Sequence, residues 1–299
     1  MSTALFAFAD GAGPAAGLAD LCGIALHRVD LRRFPDGESL VRVTGAADTA
    51  LLFRSLDDPN AKLVELLLAA SALRDGGARR VVLVAPYLAY MRQDMAFHPG
   101  EAVSQRVIGQ LLADAFDGVV TVDPHLHRIA SLGEAVPGIP ALALSAAPAI
   151  AAAIASDLDP ATLLVGPDSE SRPWVESIAR PLGLDVLVGE KVRHGDREVA
   201  LGVPGCEAAR GRPVMLVDDL ISSGTTLVAC ARLLIEAGAR SVEAVASHAL
   251  ASPADLERLA QAGITRVRAT DSTANPVACI PLAPVLAPAI RAQGWLDQA

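Results

Sequence analysis

Late in the chain, the apolar segment Val214–Val217 leads directly into two adjacent carboxylates, Asp218 and Asp219. A run of small polar residues comes next, containing Ser222, Ser223, Gly224, Thr225 and Thr226. A buried strand here would deliver both carboxylates to its C-terminal end, where open α/β sheets bind ligands. The small residues would then offer backbone N–H groups, hydroxyl donors and the positive end of a helix dipole to a phosphate. We therefore predict a sugar-phosphate site, with an ordinary helix-capping turn as the alternative.

Acidic residues also follow two other apolar segments. Asp123 and His125 come just after one of them, and Asp168 comes shortly after the other. Side chains two residues apart can point the same way, and Mg²⁺ commonly takes one or two carboxylates together with substrate phosphates. A lone histidine is more often structural, and we interpret His127 in that way. The repetition of acidic strand ends favours a metal-phosphate site for Asp123, His125 and Asp168.

Two further groups of residues could contact a nucleotide. Arg92 and Gln93 follow a strand candidate, and a guanidinium suits phosphate oxygens while a glutamine amide suits an adenine edge or a ribose. On these residues alone a solvated loop is equally consistent. Phe34–Glu38 (FPDGE), taken by itself, could be a simple turn.

One lysine is unexpected by composition. Of the 25 Lys and Arg residues, only Lys62 and Lys191 are lysines. Lys191 precedes a polar, glycine-containing segment, 193–212, which we interpret as an exposed flap or hairpin. A solvated charge placed by chance is the alternative to a functional lysine.

The segments that must position these residues alternate between two types. Short apolar runs are typical of strands buried on both faces of a parallel sheet. The predicted strands are Val81–Ala85, Val119–Val122, Leu163–Val165, Val186–Val188, Val214–Val217 and Val242–Ser247. Helices are predicted at Ala61–Asp75 and Thr226–Ala237, each ending at glycine. This alternation predicts an α/β fold with right-handed crossovers.

Length and punctuation indicate two domains. The 299 residues are about twice the length of an average domain. A Pro- and Gly-containing stretch, Pro137–Pro148, separates two halves that each carry a strand–helix–strand unit, which suggests an internal duplication. We expect domains at residues 1–143 and 144–285, with the tail 286–299 packing on the first domain.

Composition excludes several classes of protein. Hydrophobic residues make up 52% and charged residues 20%, which excludes a disordered chain. The net charge of −9 argues against general binding to nucleic acid or to an anionic membrane. The four cysteines form no CxxC pair, the first residues do not resemble a signal peptide, and no segment is apolar enough to span a membrane. We expect a cytoplasmic protein.

The segment from Asp218 to Thr226 resembles the phosphoribosyl-diphosphate (PRPP) loop shared by type I phosphoribosyltransferases and ribose-phosphate diphosphokinases. Other segments resemble the diphosphokinases in collinear order and cover most of the chain. They are Phe34–Glu38 (FPDGE), Pro86–Asp94 (PYLAYMRQD), Val122–His125 (VDPH) and Gly166–Asp168 (GPD). The resemblance implies two phosphoribosyltransferase-like domains, each a mostly parallel sheet flanked by helices, and a homo-oligomer (dimer-based, tetramer or hexamer).

The resemblance also implies roles for individual residues. The ATP-binding residues would be Phe34, Asp36, Glu38, Arg92, Gln93 and Asp94. His125 and Asp168, with Asp123, would hold the Mg²⁺ that carries the nucleotide phosphates, and Lys191 and Arg193 would close over the transferring phosphoryl group. The loop of the second half would hold ribose 5-phosphate. The expected reaction transfers the β,γ-diphosphoryl group of ATP to the 1-hydroxyl of ribose 5-phosphate and gives PRPP and AMP.

Two other functions are also considered, and the chain departs from the diphosphokinase motifs at two places. The alternatives are a type I phosphoribosyltransferase and a non-catalytic regulatory partner of a diphosphokinase. After Asp168 the family usually has glycines and then an arginine, whereas this chain has the segment Ser169–Trp174. The basic residue that usually follows the position of Asp94 is Met95 here.

Overall fold

The computed structural model describes residues 2–126, 128–194 and 198–296, and for residues 191–194 and 198–201 it describes the backbone without the side chains. His127, interpreted above as structural, lies outside the described residues. By contacts the chain divides into two units. The first contains Met1–Ser145, Ser272–Ala274 and Pro281–Ala299, and the second contains Ala146–Asp271 and Asn275–Ile280.

The first unit is built on one sheet. Its strands are β1 (Thr3–Ala7), β2 (Ala25–Arg33), β3 (Ser39–Val43), β4 (Thr49–Phe53), β5 (Arg80–Val84), β6 (Gly118–Val122) and β7 (Ala141–Leu144). Their order in the sheet is β3-β2-β1-β4-β5-β6-β7. Strand β3 pairs antiparallel with β2, and the other neighbours pair parallel. All five residues of β4 and of β6 are buried, as expected for apolar strands covered on both faces.

Helices flank the sheet of the first unit. They are α1 (Ala12–Cys22), α2 (Pro59–Asp75), α3 (Ser104–Ala115) and the short α4 (Leu132–Ala135). The chain returns to this unit at its end with α9 (Ala283–Ala292), which packs against α1. A Cβ built on Gly17 would lie 3.9 Å from the Cβ of Ala283, so small residues allow these two helices to approach closely.

The second unit repeats this plan. Its strands are β8 (Leu163–Gly166), β9 (Asp185–Val188), β10 (Glu190–His194), β11 (Glu198–Gly202), β12 (Pro213–Ile221), β13 (Ser241–Ala249), β14 (Ile264–Thr270) and β15 (Ala278–Ile280). Its helices are α5 (Ala147–Ala155), α6 (Arg172–Leu182), α7 (Thr225–Glu236) and α8 (Pro253–Gln261). The parallel sheet has the order β15-β14-β13-β12-β8-β9, and β10 and β11 form a separate antiparallel hairpin.

Six strands of each sheet share one order. When the strands of each unit are counted along the chain, with β3 and the β10–β11 hairpin set aside, both sheets place the second strand at one edge, then the first, third, fourth, fifth and sixth. This agreement supports the internal duplication suggested by the sequence. No helix among the residues described is long and apolar enough to cross a bilayer.

Candidate active site

Strand β12 is longer than the predicted Val214–Val217, because one of its two neighbours continues further than the other. Its pairing with β8 ends at Leu216, opposite Val165, whereas its pairing with β13 continues to Ile221, opposite Ala249. Asp218 and Asp219 therefore lie within β12, in the part that extends beyond the last pair with β8. The strand ends at Ile221 rather than at the predicted Val217, and both carboxylates lie in its C-terminal part.

The loop after β12 enters helix α7 through a glycine. Gly224 has φ 71°, a left-handed conformation that glycine adopts without steric cost, and no side chain caps the helix there. A Cβ on Gly224 would lie 2.9 Å from a methyl carbon of Leu259, so the loop also packs closely on α8. The guanidinium of Arg258 donates to the carbonyl oxygen of Ser223 (3.0 Å), and the Ser223 and Thr225 hydroxyls are 3.1 Å apart. The hydroxyl-bearing residues of the loop are exposed at the start of the helix.

Asp168 begins a turn beyond the end of the adjacent strand β8. Its carboxylate accepts a hydrogen bond from the backbone N–H of Ser171 (3.3 Å), and its carbonyl accepts one from the Ser171 hydroxyl (2.6 Å). Two glycines allow this compact arrangement. A Cβ on Gly166 would lie 2.2 Å from the Ser171 hydroxyl oxygen, and one on Gly189 would lie 2.4 Å from the carbonyl oxygen of Pro167.

Three carboxylates of the second unit, Asp168, Asp218 and Asp219, interact electrostatically. Burial, followed by the charge of Asp219 and the charge of Asp168, raises the pKa of Asp218 well above its ordinary value. Burial and the charges of Asp218 and Asp168 also raise the pKa of the Cys230 thiol beneath them to about 12. The charges of Asp168 and Asp219 thus both act on Asp218. Carboxylates so placed could accept hydrogen bonds from sugar hydroxyls.

Lys191 and Arg193 both belong to β10 of the hairpin that follows β9. Lys191 is paired in register with Leu201, and Arg193 with Val199. The flap or hairpin was predicted over residues 193–212, whereas the observed hairpin runs from Glu190 to Gly202 and covers only the first part of that segment. Residues 195–197, between its strands, lie outside the described residues. The roles of Lys191 and Arg193 stay predictions.

In the first unit, the segment Phe34–Glu38 is the turn between β2 and β3. The Phe34 N–H donates to the carbonyl of Glu38 (2.8 Å), the Gly37 N–H donates to the carbonyl of Phe34 (3.0 Å), and the Asp36 carboxylate accepts from the Glu38 N–H (3.1 Å). Arg32 lies over the Phe34 ring, with its Cζ 5.2 Å from the ring centroid. Asp36 and Glu38 are exposed. The turn is therefore well defined and open to a ligand.

The segment that carries Arg92, Gln93 and Asp94 follows β5. The Gln93 side-chain oxygen accepts from the Ser104 hydroxyl (2.9 Å) at the start of α3, and the Arg92 side chain is exposed. Tyr90, just before them, has φ 65°, which is uncommon for a non-glycine residue and is often found at functional sites.

Asp123 and His125 follow β6. Asp123 also has a positive φ, 37°, and its N–H donates to the carbonyl of Leu144 (2.8 Å). Both residues belong to the first unit, whereas Asp168 belongs to the second. Across the residues that the structure describes, no group of three or more His, Cys, Asp or Glu side chains could by itself hold a metal ion.

The loop after β6 is joined to the Arg92–Asp94 segment by an ion pair that sequence reasoning missed. The guanidinium of Arg128 donates to Asp94 Oδ1 (2.6 Å), and the Asp94 side chain is only 1% exposed. The sequence did contain an indication of this pair, since no basic residue follows Asp94. A buried carboxylate without a cation beside it in sequence needs one from another segment.

Two family profiles match the chain. Residues 4–115 match the N-terminal domain of ribose phosphate pyrophosphokinase, and residues 140–280 match the phosphoribosyl transferase domain. The ribose-phosphate pyrophosphokinase of Methanopyrus kandleri is 35% identical over 277 residues, which cover 92% of this chain and 94% of that protein. The enzyme of the same name from Halobacterium salinarum (strain ATCC 29341 / DSM 671 / R1) is 35% identical over 280 residues, covering 92% and 96% of the two chains.

A solved structure is similar over almost the whole length. The crystal structure of phosphoribosylpyrophosphate synthetase from Mycobacterium smegmatis superposes with a TM-score of 0.83 at 28% sequence identity, and covers 98% of this chain and 99% of that one. The family profiles, the sequence relatives and the solved structure all indicate the same family over most of the chain. This chain belongs to the ribose-phosphate pyrophosphokinase family.

Proposed function

We propose that the chain catalyses the transfer of the β,γ-diphosphoryl group of ATP to the 1-hydroxyl of ribose 5-phosphate, with PRPP and AMP as products. The observation that carries this proposal is the match of residues 4–115 to the N-terminal domain of ribose phosphate pyrophosphokinase. A phosphoribosyltransferase that consumes PRPP would need only the kind of domain matched by residues 140–280. The first unit is therefore the feature that separates the two activities.

The second unit would bind ribose 5-phosphate. Its 5-phosphate would lie at the start of α7, against Ser222, Ser223, Gly224, Thr225 and Thr226. The uncapped helix start and the exposed hydroxyls support this position, since both donate hydrogen bonds to an anion. Asp218 and Asp219 would accept hydrogen bonds from the ribose hydroxyls, which orients the 1-hydroxyl for attack.

The first unit would bind ATP. Phe34, Asp36 and Glu38 on the β2–β3 turn would contact the adenosine, with the Phe34 ring on the base. Arg92, Gln93 and Asp94 would contact the ribose and phosphates, and the exposed guanidinium of Arg92 supports this assignment.

Mg²⁺ is the cofactor we propose, held by Asp123, His125 and Asp168. Oxygen and imidazole donors in this small number fit an ion that takes its remaining ligands from substrate phosphates and water. When bound, the ion supplies charge neutralisation to the polyphosphate. Asp123 is held at an uncommon backbone angle, which supports a functional position for its carboxylate.

Catalysis would consist mainly of alignment and charge stabilisation. The 1-hydroxyl oxygen forms a bond to the β-phosphorus and releases its proton to solvent. The bond from that phosphorus to the oxygen bridging it to the α-phosphorus breaks, and AMP leaves with that oxygen. Lys191 and Arg193, on the β10–β11 hairpin, would neutralise negative charge on the transferring group and exclude water. Such a reaction needs no covalent enzyme intermediate.

One assay tests the proposal against its alternatives. The purified chain is incubated with ATP, Mg²⁺ and ribose 5-phosphate, and AMP and PRPP are quantified together. Equal amounts of both are expected. A phosphoribosyltransferase would instead consume added PRPP with a nucleobase and release pyrophosphate, and a regulatory partner would form neither product.

The proposal also includes the oligomeric state and the cellular location. The protein would act as a homo-oligomer, and we propose a cytoplasmic location. The four cysteines, Cys22, Cys206, Cys230 and Cys279, are all free thiols, which is consistent with a reducing compartment.

A further inference from the structure

A fully buried carboxylate lies under the turn that the proposed function assigns to ATP. Glu65 is on helix α2 and has an exposed fraction of 0%. Its Oε1 accepts from Arg33 Nε (3.0 Å) and from the Ser39 hydroxyl (3.0 Å), and the Arg33 Nη2 is 2.9 Å away. Arg33 and Ser39 are the last cross-strand pair of β2 and β3 before the turn. One carboxylate oxygen therefore holds both ends of the Phe34–Glu38 turn.

The second oxygen of Glu65 faces another buried cation. Arg54 Nη1 lies 2.7 Å from Glu65 Oε2, and the Arg54 side chain is 3% exposed. Arg54 in turn lies over the Phe8 ring, 3.9 Å from its centroid, and its Nε donates to Asp10 (3.3 Å). Phe8 and Asp10 hold the Arg54 guanidinium in place, and Arg54 in turn holds the Glu65 carboxylate. Glu65 therefore offers its Oε1 to Arg33 and Ser39 from a fixed position.

A purely structural ion pair would not need this arrangement. Apolar contacts already attach the β2–β3 hairpin to the core, since Leu31 and Val41, which pair across these two strands, pack against the core. Burying a carboxylate is costly, and well-packed apolar residues often replace a buried ion pair without loss of stability. The carboxylate instead provides directed bonds at the two residues where the hairpin leaves the core and the turn begins.

We infer that Glu65 is a positioning residue for nucleotide binding, which acts through Arg33 and Ser39 to hold the Phe34–Glu38 turn in its ligand-binding form. This inference rests on the proposed ATP role of the turn. It concerns the conformation of the turn before any ligand arrives, so it can be measured with and without turnover.

The test compares Glu65→Gln with Asp117→Asn, a matched carboxylate-to-amide control in the same unit. Asp117 accepts a hydrogen bond from the Val81 N–H (2.7 Å) and pairs with Arg74 (3.1 Å), and neither partner belongs to the β2–β3 hairpin. In the full-length Glu65→Gln protein we expect faster amide hydrogen exchange in a peptide covering residues 31–41. We also expect the KM for ATP to rise about tenfold, with kcat and the KM for ribose 5-phosphate within about twofold. Asp117→Asn should leave all these quantities unchanged.

Ser39→Ala provides a milder variant in case Glu65→Gln does not fold. It removes one of the bonds to Oε1, and we expect a smaller change in the same direction in both exchange and KM for ATP. Equal effects of Glu65→Gln and Asp117→Asn would overturn the inference, as would unchanged exchange in the 31–41 peptide. Faster exchange with an unchanged KM for ATP would also overturn it, and would place the fault in the ATP role of the turn. Failure of the proposed function is seen separately, as absence of AMP and PRPP with the unsubstituted protein.

Discussion

The carboxylate of Asp218 lies where a neutral side chain would make the folded protein more stable. Burial and the charges of Asp219 and Asp168 raise the pKa of Asp218, so keeping it ionised at neutral pH costs folding free energy. Binding sites often carry such a cost, because the group that is unfavourable in the free protein is the one the ligand stabilises.

Asp218→Asn is therefore expected to raise stability and to weaken ribose 5-phosphate binding. Below the ordinary carboxyl pKa of 3.8 the aspartate is neutral in both the folded and unfolded states, so the gain should be small at pH 4 and grow toward pH 7.5. Thermal unfolding of both proteins at the two pH values measures this, with about 2–4 °C expected for each kcal/mol gained. A lower melting temperature for the variant at pH 7.5 would show that the asparagine disturbs the site rather than relieving it.

Lys191 allows a direct test of the proposed chemistry, because the chain offers a matched lysine. Lys191→Ala should lower kcat by about 10²–10³-fold with little change in either KM, the pattern of a contact made in the transition state. Lys62→Ala is the control, since Lys62 pairs with Asp57 (2.8 Å) and Asp10 (3.4 Å) and has no assigned catalytic role. Steady-state kinetics on both variants decides the matter, and an unchanged kcat for Lys191→Ala would remove this residue from the mechanism.

Among the elements, the β12–α7 connection depends most on one backbone angle. Gly224 combines φ 71° with the close approach of Leu259, so a side chain there meets both backbone strain and a steric clash. The loop conformation, and with it the phosphate site, is therefore determined jointly by the glycine and by α8.

Gly224→Ala should destabilise the protein by about 1–3 kcal/mol and raise the KM for ribose 5-phosphate more than the KM for ATP. Gly211→Ala is the control, because Gly211 has φ 73° in the same unit but open space around its Cβ position. The control should show part of the loss of stability without the change in KM. Unfolding and kinetics on both variants separate the two effects, and equal KM values for ribose 5-phosphate would argue against a phosphate site at this loop.

The molecule as a whole carries one tryptophan in each unit, which allows the units to be followed separately. Trp295 belongs to the first unit and Trp174 to the second. In the first unit, burial of Glu65 would raise its pKa, but the hydrogen bond from Arg33 and the ion pair with Arg54 outweigh burial and hold the pKa below its ordinary value. In the second unit, a hydrogen bond from Arg266 lowers the pKa of Asp157.

Glu65 in the first unit and Asp157 in the second should therefore each contribute less stability in acid, whereas Asp218 in the second unit acts in the opposite direction. A group whose pKa is lower in the folded state contributes fully above its unfolded pKa, which is 4.5 for Glu65, and loses that contribution as the pH falls through the folded value. Fluorescence of Trp174→Phe and Trp295→Phe proteins follows one unit at a time during acid titration. Adding Glu65→Gln should weaken the pH dependence seen by Trp295 and leave that seen by Trp174 unchanged. A similar change at both tryptophans would show that the effect is not confined to the unit of Glu65.

The amino-acid sequence by itself determined the fold class, the main strands and the family, and the comparisons confirm the family resemblance drawn from the collinear motifs. These features depend on neighbours along the chain: apolar runs form buried strands, and a motif is recognised by its order and spacing. The same logic placed the turn before α7 and the hairpin that carries Lys191.

Only the tertiary structure decided how charged residues are partnered. Glu65 lies within α2, where Leu63, Leu66 and Leu73 are also buried, and the apolar pattern of this helix does not indicate a buried carboxylate. Its burial depends on Arg33, the last residue of β2, and on Arg54, the residue after β4. The Asp94–Arg128 pair and the part of β12 beyond β8 have the same origin, because each depends on the distance between segments that are remote in sequence. Such distances follow from the packing of the whole unit, which local sequence patterns do not contain.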